Sequence, residues 1–258
     1  MTRASGSLGS VDRILGECSE ALVDGFGRHR LLLDRVARLT PPDLAHDLQH
    51  VMRVYRWAVR LAPEAEASPD LCGAAALVHD LVSVPKHLAI RPLGGERSAA
   101  AAAGLLPEAG YSLDESAVVV DAVATHSWSR GLAPRNPVGV VLQDADRIDA
   151  LGAVGMLRNA AVAEAMSRGR PLRDDGPPAA LAHPVDPLAE TGRPLDDSRY
   201  ALDHWRVKLL KLRDGMHLPT ARKEASRRHA WMLVALTQLS TELHIQLSAV
   251  ADNPGPVG

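Results

Sequence analysis

Along the chain, apolar positions recur at helical rather than alternating spacing, and the stretches in which they do so predict helices. From Val11 to Leu39 they return at near-helical spacing, interrupted by Gly25 and Gly27, which reads as one or two helices. Thr40-Pro41-Pro42-Asp43 then forms a start signal: a capping hydroxyl, proline in the first turn and a carboxylate at the positive helix end. The helix it opens runs to about Leu61 and puts Leu44, Leu48, Val51, Tyr55 and Ala58 on one face. Ser68-Pro69-Asp70 repeats the signal ahead of LCGAAALVHDLV, which Pro85 closes. That stretch is apolar on nearly every side, as in a helix at the centre of a bundle, and His79 and Asp80 sit together at its C-terminal end. Ser112 and Glu115 make a capping-box pattern before AVVVDAVATH, another buried helix. Pro137 opens VGVVLQDADRIDALGAVGMLRNAA, read as one further inner helix bent at its glycines.

Residues 170–198 hold six prolines and several aspartates, and read as a long irregular loop of the kind that often covers a site. Two helices close the chain, near 199–212 and 220–248. No internal repeat and no separating linker is visible, so the expectation is an all-α, single-domain helical bundle over 11–250. Its core spans about 41–166, between a disordered N-terminus (1–10) and a frayed tail (251–258). Composition agrees with helices. Apolar residues make up 46% of the 258, enough for a proper core, yet only eight are aromatic, leaving Ala, Leu and Val to pack. Two cysteines, Cys18 and Cys72, exclude a disulfide scaffold and a cysteine-based zinc site. A net charge of −2 supplies no basic field for nucleic acid or an anionic membrane. No apolar run approaches a membrane span and no secretory leader opens the chain, so the expected location is cytoplasmic.

One count changes the picture: 11 histidines, more than all the aromatics together. Carboxylates in apolar stretches are costly unless they are paired, hydrogen-bonded or bound to metal. His79, Asp80, Asp144, Asp146 and Asp149 all lie in such stretches, and His50 lies on the preceding helix. Each aspartate alone reads most simply as a helix end in water or an Arg partner. As a set, two imidazoles and two carboxylates can chelate one divalent ion, and the mixed donors suit Mn, Fe, Co, Ni, Zn or Mg.

A His on one helix, an adjacent His-Asp on a second and a distant Asp on a later one resembles the HD superfamily. The pattern is carried here by AHDLQHVMRV, AALVHDLVSVPK and VVLQDADRIDALGA. The resemblance is closest to bacterial HD-domain phosphohydrolases that continue into ATHSWSRG and RYALDHWRVKLLKLRDGM, and it covers most of the chain from Pro41 onward. It implies a helical bundle and His50, His79, Asp80 and Asp146 as metal ligands. His46-Asp47 is also an HD dipeptide, but the Arg53-Val54 that follows His50 matches the family's continuation. His46 and Asp47 then become neighbours of the site or a helix-start contact. Asp146 is preferred over Asp144, which points to another face, and over Asp149, nearly a turn further on.

Four ligands on an ion that accepts six leave room for water and a substrate oxygen. Such an ion lowers the pKa of the water and offsets charge on a phosphoryl group. Lys86, just past the helix-ending Pro85, is a candidate to reach the phosphate, or an ordinary loop lysine. Arg53 and Arg147 flank ligands and either bind phosphate or pair with nearby aspartates; Lys208 and Arg222 are weaker candidates. His126 is a general acid, part of a second metal site, or a hydrogen-bonded helix-end histidine, and His87 shares that ambiguity. Some HD hydrolases carry an acidic residue three or four positions after the pair; Ser83 and Val84 stand there in this chain. His183, His204, His217, His229 and His244 have no implicating spacing, although His204 falls in the family-like DHWRVK segment. No phosphate loop, dinucleotide fingerprint, H-E-x-x-H or nucleophile elbow is present, and Cys72 reads as a small core residue. Trp57, Trp128 and Trp205 are available to line a pocket.

The expected function is a metal-dependent phosphohydrolase acting on a small phosphorylated metabolite or nucleotide. A mixed-valent di-iron oxygenase is the alternative within the same superfamily, and it needs further His ligands that only His126 and His87 could supply. A non-catalytic nucleotide-binding regulator would show a missing ligand, and none is missing.

Overall fold

The computed structural model describes residues 26–39, 47–82, 93–168 and 180–243. Nine α-helices are formed by these residues: α1 (Phe26–Leu39), α2 (Leu48–Leu61), α3 (Pro69–Val78), α4 (Gly94–Glu108), α5 (Leu113–Thr125), α6 (Pro137–Asp149), α7 (Gly152–Arg168), α8 (Asp203–Val207) and α9 (Pro219–Leu243). Among the described residues there is no β-strand, only an isolated bridge between Ala180 and Tyr200. The fold is all-α. No helix among the described residues is long and apolar enough to cross a membrane.

Local chemistry sets most of the boundaries. Ser68 accepts the Leu71 amide and Pro69 occupies the first turn of α3. Ser112 and Glu115 form a reciprocal capping box at α5, and Asn136 accepts the Gly139 amide at α6. The start of α2 departs from expectation. Asp47 lies in the extended region (φ −73°, ψ 171°) and its carboxylate accepts the His50 amide at 2.8 Å, so the helix begins at Leu48. Thr40-Pro41-Pro42-Asp43 and Leu44 lie outside the described residues.

From Cys72 to Val78 every residue of α3 is buried, and α1, α2, α5 and α6 all pack against it. The apolar α3 is therefore the centre of the bundle, as its sequence demands. Close packing is visible at Gly73, where a Cβ would stand 2.7 Å from His29 Cε1 and 2.9 Å from Tyr55 Cε2. His29 is itself buried, with Nδ1 2.9 Å from the Tyr55 hydroxyl and Nε2 2.9 Å from the Asp70 carbonyl, which docks α1 onto α2 and α3.

Three further expectations change. The stretch from Pro137 is two helices rather than one bent helix: α6 stops at Ala150, and Gly152, at φ +78°, turns the chain into α7. The helix expected near 199–212 is the short α8 followed by a 3₁₀ segment, Leu209–Gly215. Before them, residues 180–202 run through turns, and Arg193 ties this segment to Asp203 through two bonds of 2.6 and 2.7 Å. Trp205 is not available to a pocket, being buried in the core.

Candidate metal centre

Five ionisable side chains from four helices converge at one end of α3. His50 belongs to the first turn of α2, where the Asp47 cap fixes its backbone. His79 is the C-cap of α3 and Asp80 follows it; His126 is the C-cap of α5; Asp146 comes from α6. His50 and His79 are fully buried, whereas the Asp80 and Asp146 side chains are 29% and 27% exposed. The imidazoles thus form a dry floor and the carboxylates a rim open to solvent.

The hydrogen bonds define which ring nitrogen faces inward. His79 Nδ1 lies 2.8 Å from the Ala76 carbonyl and His126 Nδ1 lies 2.6 Å from the Val123 carbonyl. In each case a helix-ending His donates back three residues to a carbonyl in the last turn of its helix. His50 Nδ1 lies 2.8 Å from Asp149 Oδ2. A carbonyl or carboxylate can only accept, so in all three neutral rings Nδ1 carries the proton and Nε2 is a bare lone pair.

The bare nitrogens of His50 and His79 face each other at 3.2 Å. Asp80 Oδ2 stands 3.5 Å from both, and Asp146 Oδ1 3.8 Å from His50 Nε2. His50, His79 and Asp146 each offer a donor atom within 4.8 Å of the others. Donors held about 2.1 Å from one ion stand roughly 3.0 Å apart at right angles and roughly 3.4 Å apart in a tetrahedron. The imidazole pair already has that spacing, and the carboxylates lie slightly outside it. Two lone pairs and two carboxylates aimed at one point repel one another unless positive charge sits between them, so the donor set fits a divalent cation.

Without a metal, that demand falls on protons. Burial pulls His79 below its ordinary pKa. At His50 burial acts the same way, but its bonds to Asp149 and Asp80 prevail and raise it. Burial opposes ionisation of Asp146, yet the facing His79, His50 and His126 hold its carboxyl below the usual range.

The other candidates fall elsewhere. Arg53 binds Asp149 through Nε at 2.7 Å and through its terminal nitrogen at 3.1 Å, which is the pairing alternative rather than phosphate binding. Arg147 is corrected as a substrate residue: it is buried, donates to the Gly215 carbonyl and reaches Gln143 Oε1 at 2.6 Å, joining α6 to the segment before α9. Asp144 is no ligand either; it accepts the His217 amide at 2.9 Å and the Leu218 amide at 2.8 Å at the start of α9. Arg222, the weaker candidate, donates to the His217 carbonyl. Lys208 Nζ stands 5.8 Å from the centroid of a Trp128 ring two residues past His126. Burial pushes the Cys72 thiol up to about 12, which agrees with a core role. His46, Lys86, His87 and His244 lie outside the described residues.

Sequence reasoning missed what Asp149 does, and missed Arg158 entirely. Arg158, on α7, reaches Asp149 Oδ2 at 3.0 Å. Only the nearness of Asp149 to Asp146 hinted at involvement.

Comparison with known proteins converges on one family. The HD domain model matches residues 47–151, which contain all five converging side chains. The uncharacterized protein YpgQ of Bacillus subtilis (strain 168) is 31% identical over 209 residues, covering 80% of this chain and 88% of its own. The crystal structure of YpgQ in complex with ADP superposes with a TM-score of 0.62 at 28% identity, covering 84% of this chain and 98% of that one. An HD-superfamily hydrolase from Bacillus thuringiensis gives a TM-score of 0.53 at 26% identity, covering 84% and 100%.

Proposed function

The chain belongs to the HD-domain family, and from that premise we propose that it is a metal-dependent phosphohydrolase acting on a small phosphorylated metabolite or nucleotide. The observation that carries the proposal is the pair of bare imidazole nitrogens facing each other at 3.2 Å beneath two solvent-reaching carboxylates. His50, His79, Asp80 and Asp146 would hold the ion. When bound, a divalent cation makes hydroxide available near neutral pH and offsets charge on a phosphoryl group.

The remaining work falls to the chain. Asp80 directs Oδ2 at the two buried imidazoles and Oδ1 towards His126 Nε2, 3.9 Å away. With Nδ1 committed to Val123, His126 can take or give a proton only at Nε2, the nitrogen that faces Asp80. That placement suits a general acid for the departing oxygen. Lys208, close to Trp128, is proposed as a phosphate contact, as is Lys86 on the strength of its place in the sequence. ADP in the related YpgQ crystal supports a nucleotide among the substrates.

The test is a screen of purified protein with Mn²⁺, Co²⁺, Ni²⁺, Zn²⁺, Mg²⁺ or Fe²⁺ against nucleotides and sugar phosphates. Products are resolved by ion-exchange chromatography. Metal-dependent hydrolysis that disappears in His79→Ala is expected. Absence of hydrolysis with every metal would overturn the proposal, and O₂ consumption with iron in its place would establish the oxygenase alternative.

A further inference from the structure

We propose that Asp149 is a positioning residue of the metal centre, setting the tautomer and aim of His50 without taking a place on the metal. The inference rests on the reading above that the cluster holds a divalent cation. Asp149 follows Asp146 by three residues on α6, so the two carboxylates project about 60° apart around the helix and roughly 4.5 Å apart along it. They meet opposite edges of one imidazole. Asp146 lies on the Nε2 side of His50 at 3.8 Å, and Asp149 binds its Nδ1 at 2.8 Å.

Both carboxylate oxygens of Asp149 are already engaged by imidazole and guanidinium donors. Its Oδ1 accepts Arg53 Nε at 2.7 Å, and its Oδ2 accepts His50 Nδ1, Arg158 and the Arg53 terminal nitrogen at 2.8, 3.0 and 3.1 Å. Four N–H donors thus surround the carboxylate, three at Oδ2 and one at Oδ1, and the two guanidinium charges disfavour a further cation beside them. The side chain is 1% exposed, so neither water nor solvent cations compete for it. Two guanidinium groups beside it keep it ionised, and an anionic Asp149 can only accept from His50. The imidazole proton is thereby confined to Nδ1, and Nε2 is left bare and held in one direction. A carboxylate behind a ligating histidine is a general device for raising ligand basicity and fixing ring orientation.

The competing account is that Arg53, Asp149 and Arg158 merely staple α2, α6 and α7 together. A staple would hold the helices whichever ring nitrogen of His50 carried the proton, so the tautomer separates the two. Asp149→Ala takes away the acceptor behind Nδ1, so nothing confines the ring proton there and it is free to move to Nε2, where it blocks the metal.

The first measurement needs no variant: ¹⁵N NMR of the metal-free native protein at about pH 9, well above the ordinary histidine pKa, should show His50 as the Nδ1–H tautomer. An Nε2–H His50 overturns the inference. Mn²⁺ titration followed by EPR should show about 10- to 100-fold weaker binding in Asp149→Ala, together with a shift of His50 towards Nε2–H. Arg158→Gln removes one arm of the staple and leaves the Asp149–His50 bond; it should lose thermal stability while keeping the tautomer and the native Mn²⁺ affinity. Native-strength Mn²⁺ binding in Asp149→Ala refutes the positioning role and leaves the hydrolase reading standing. Tight native Mn²⁺ binding without hydrolysis of any phosphate ester does the reverse.

Discussion

Removing and restoring the metal should move the thermal stability of the whole bundle, because the donors lie on three separate helices. His50 comes from α2, His79 and Asp80 from the end of α3, and Asp146 from α6. An unfolded chain cannot hold these four groups in place, so metal binding adds almost wholly to the folded state. Free metal at 100 times its dissociation constant contributes about 2.7 kcal/mol. For a chain of this size each kcal/mol raises the midpoint by roughly 2–4 °C, giving a rise of roughly 5–11 °C. The assay is differential scanning fluorimetry of chelator-treated, desalted protein titrated with Mn²⁺, with His79→Ala compared against itself in the same series. The native midpoint should climb and then continue logarithmically with free Mn²⁺, and the variant should stay flat. A native protein indifferent to Mn²⁺, Co²⁺ and Zn²⁺ alike would refute the reasoning, as would an equal rise in the variant.

Three further outcomes follow from other parts of the structure. His126→Gln should lower kcat by about 10²–10⁴-fold and remove one limb of the pH–rate profile while Mn²⁺ affinity stays native; an unchanged profile would rule out proton transfer there. Gly73→Ala pushes a methyl into His29 and Tyr55 rings that hydrogen bonds hold in place, and should cost about 1–3 kcal/mol in urea unfolding; a neutral result would show that α1 can move aside. Glu224 is held down to about 2 by its hydrogen bonds to Arg227 and Arg228, against a modest opposing effect of burial. A depressed folded value means stability that is present above the unfolded carboxylate range and is lost as pH falls from about 4.3 towards 2. Because Arg227 is largely exposed, the contribution is about 1 kcal/mol at most. The stability gap between native protein and Glu224→Gln should therefore shrink between pH 7 and pH 3, and a constant gap would contradict the assignment.

What could be read from the sequence was whatever short-range chemistry encodes. Ser68 before Pro69, and Ser112 three residues before Glu115, mark helix starts because the capping bonds are local. The apolar run of α3 announced its central place, and the residues that meet at its end were found through their pattern over three helices. Helix α4 went unrecognised: GGERSAAAAAGLLPE is rich in Gly and Ala, has no side-chain cap at Leu93 and contains Pro107, so it carries neither a start signal nor an amphipathic stripe. The break at Gly152 was hidden because a glycine marks a bend and a reversal with the same letter. The role of Asp149 was illegible for a different reason. Its partners His50, Arg53 and Arg158 lie 99, 96 and 9 positions away, and only packing of α2 and α7 on α6 brings them to it.

The way α3 and α5 end also imposes an order of events. Both helices stop at the cluster, with His79 and His126 as their C-caps. A helix C-terminus carries about half a negative charge, so two of them add to the field of Asp80 and Asp146. Before a metal binds, these charges oppose an approaching phosphate. A divalent cation bound among these groups offsets most of that charge and offers an anion a direct partner. Under the proposed function, metal and phosphorylated substrate are thus not independent ligands of this bundle. The cation is the prior one, and substrate affinity measured without it should collapse, whatever the shape of the pocket.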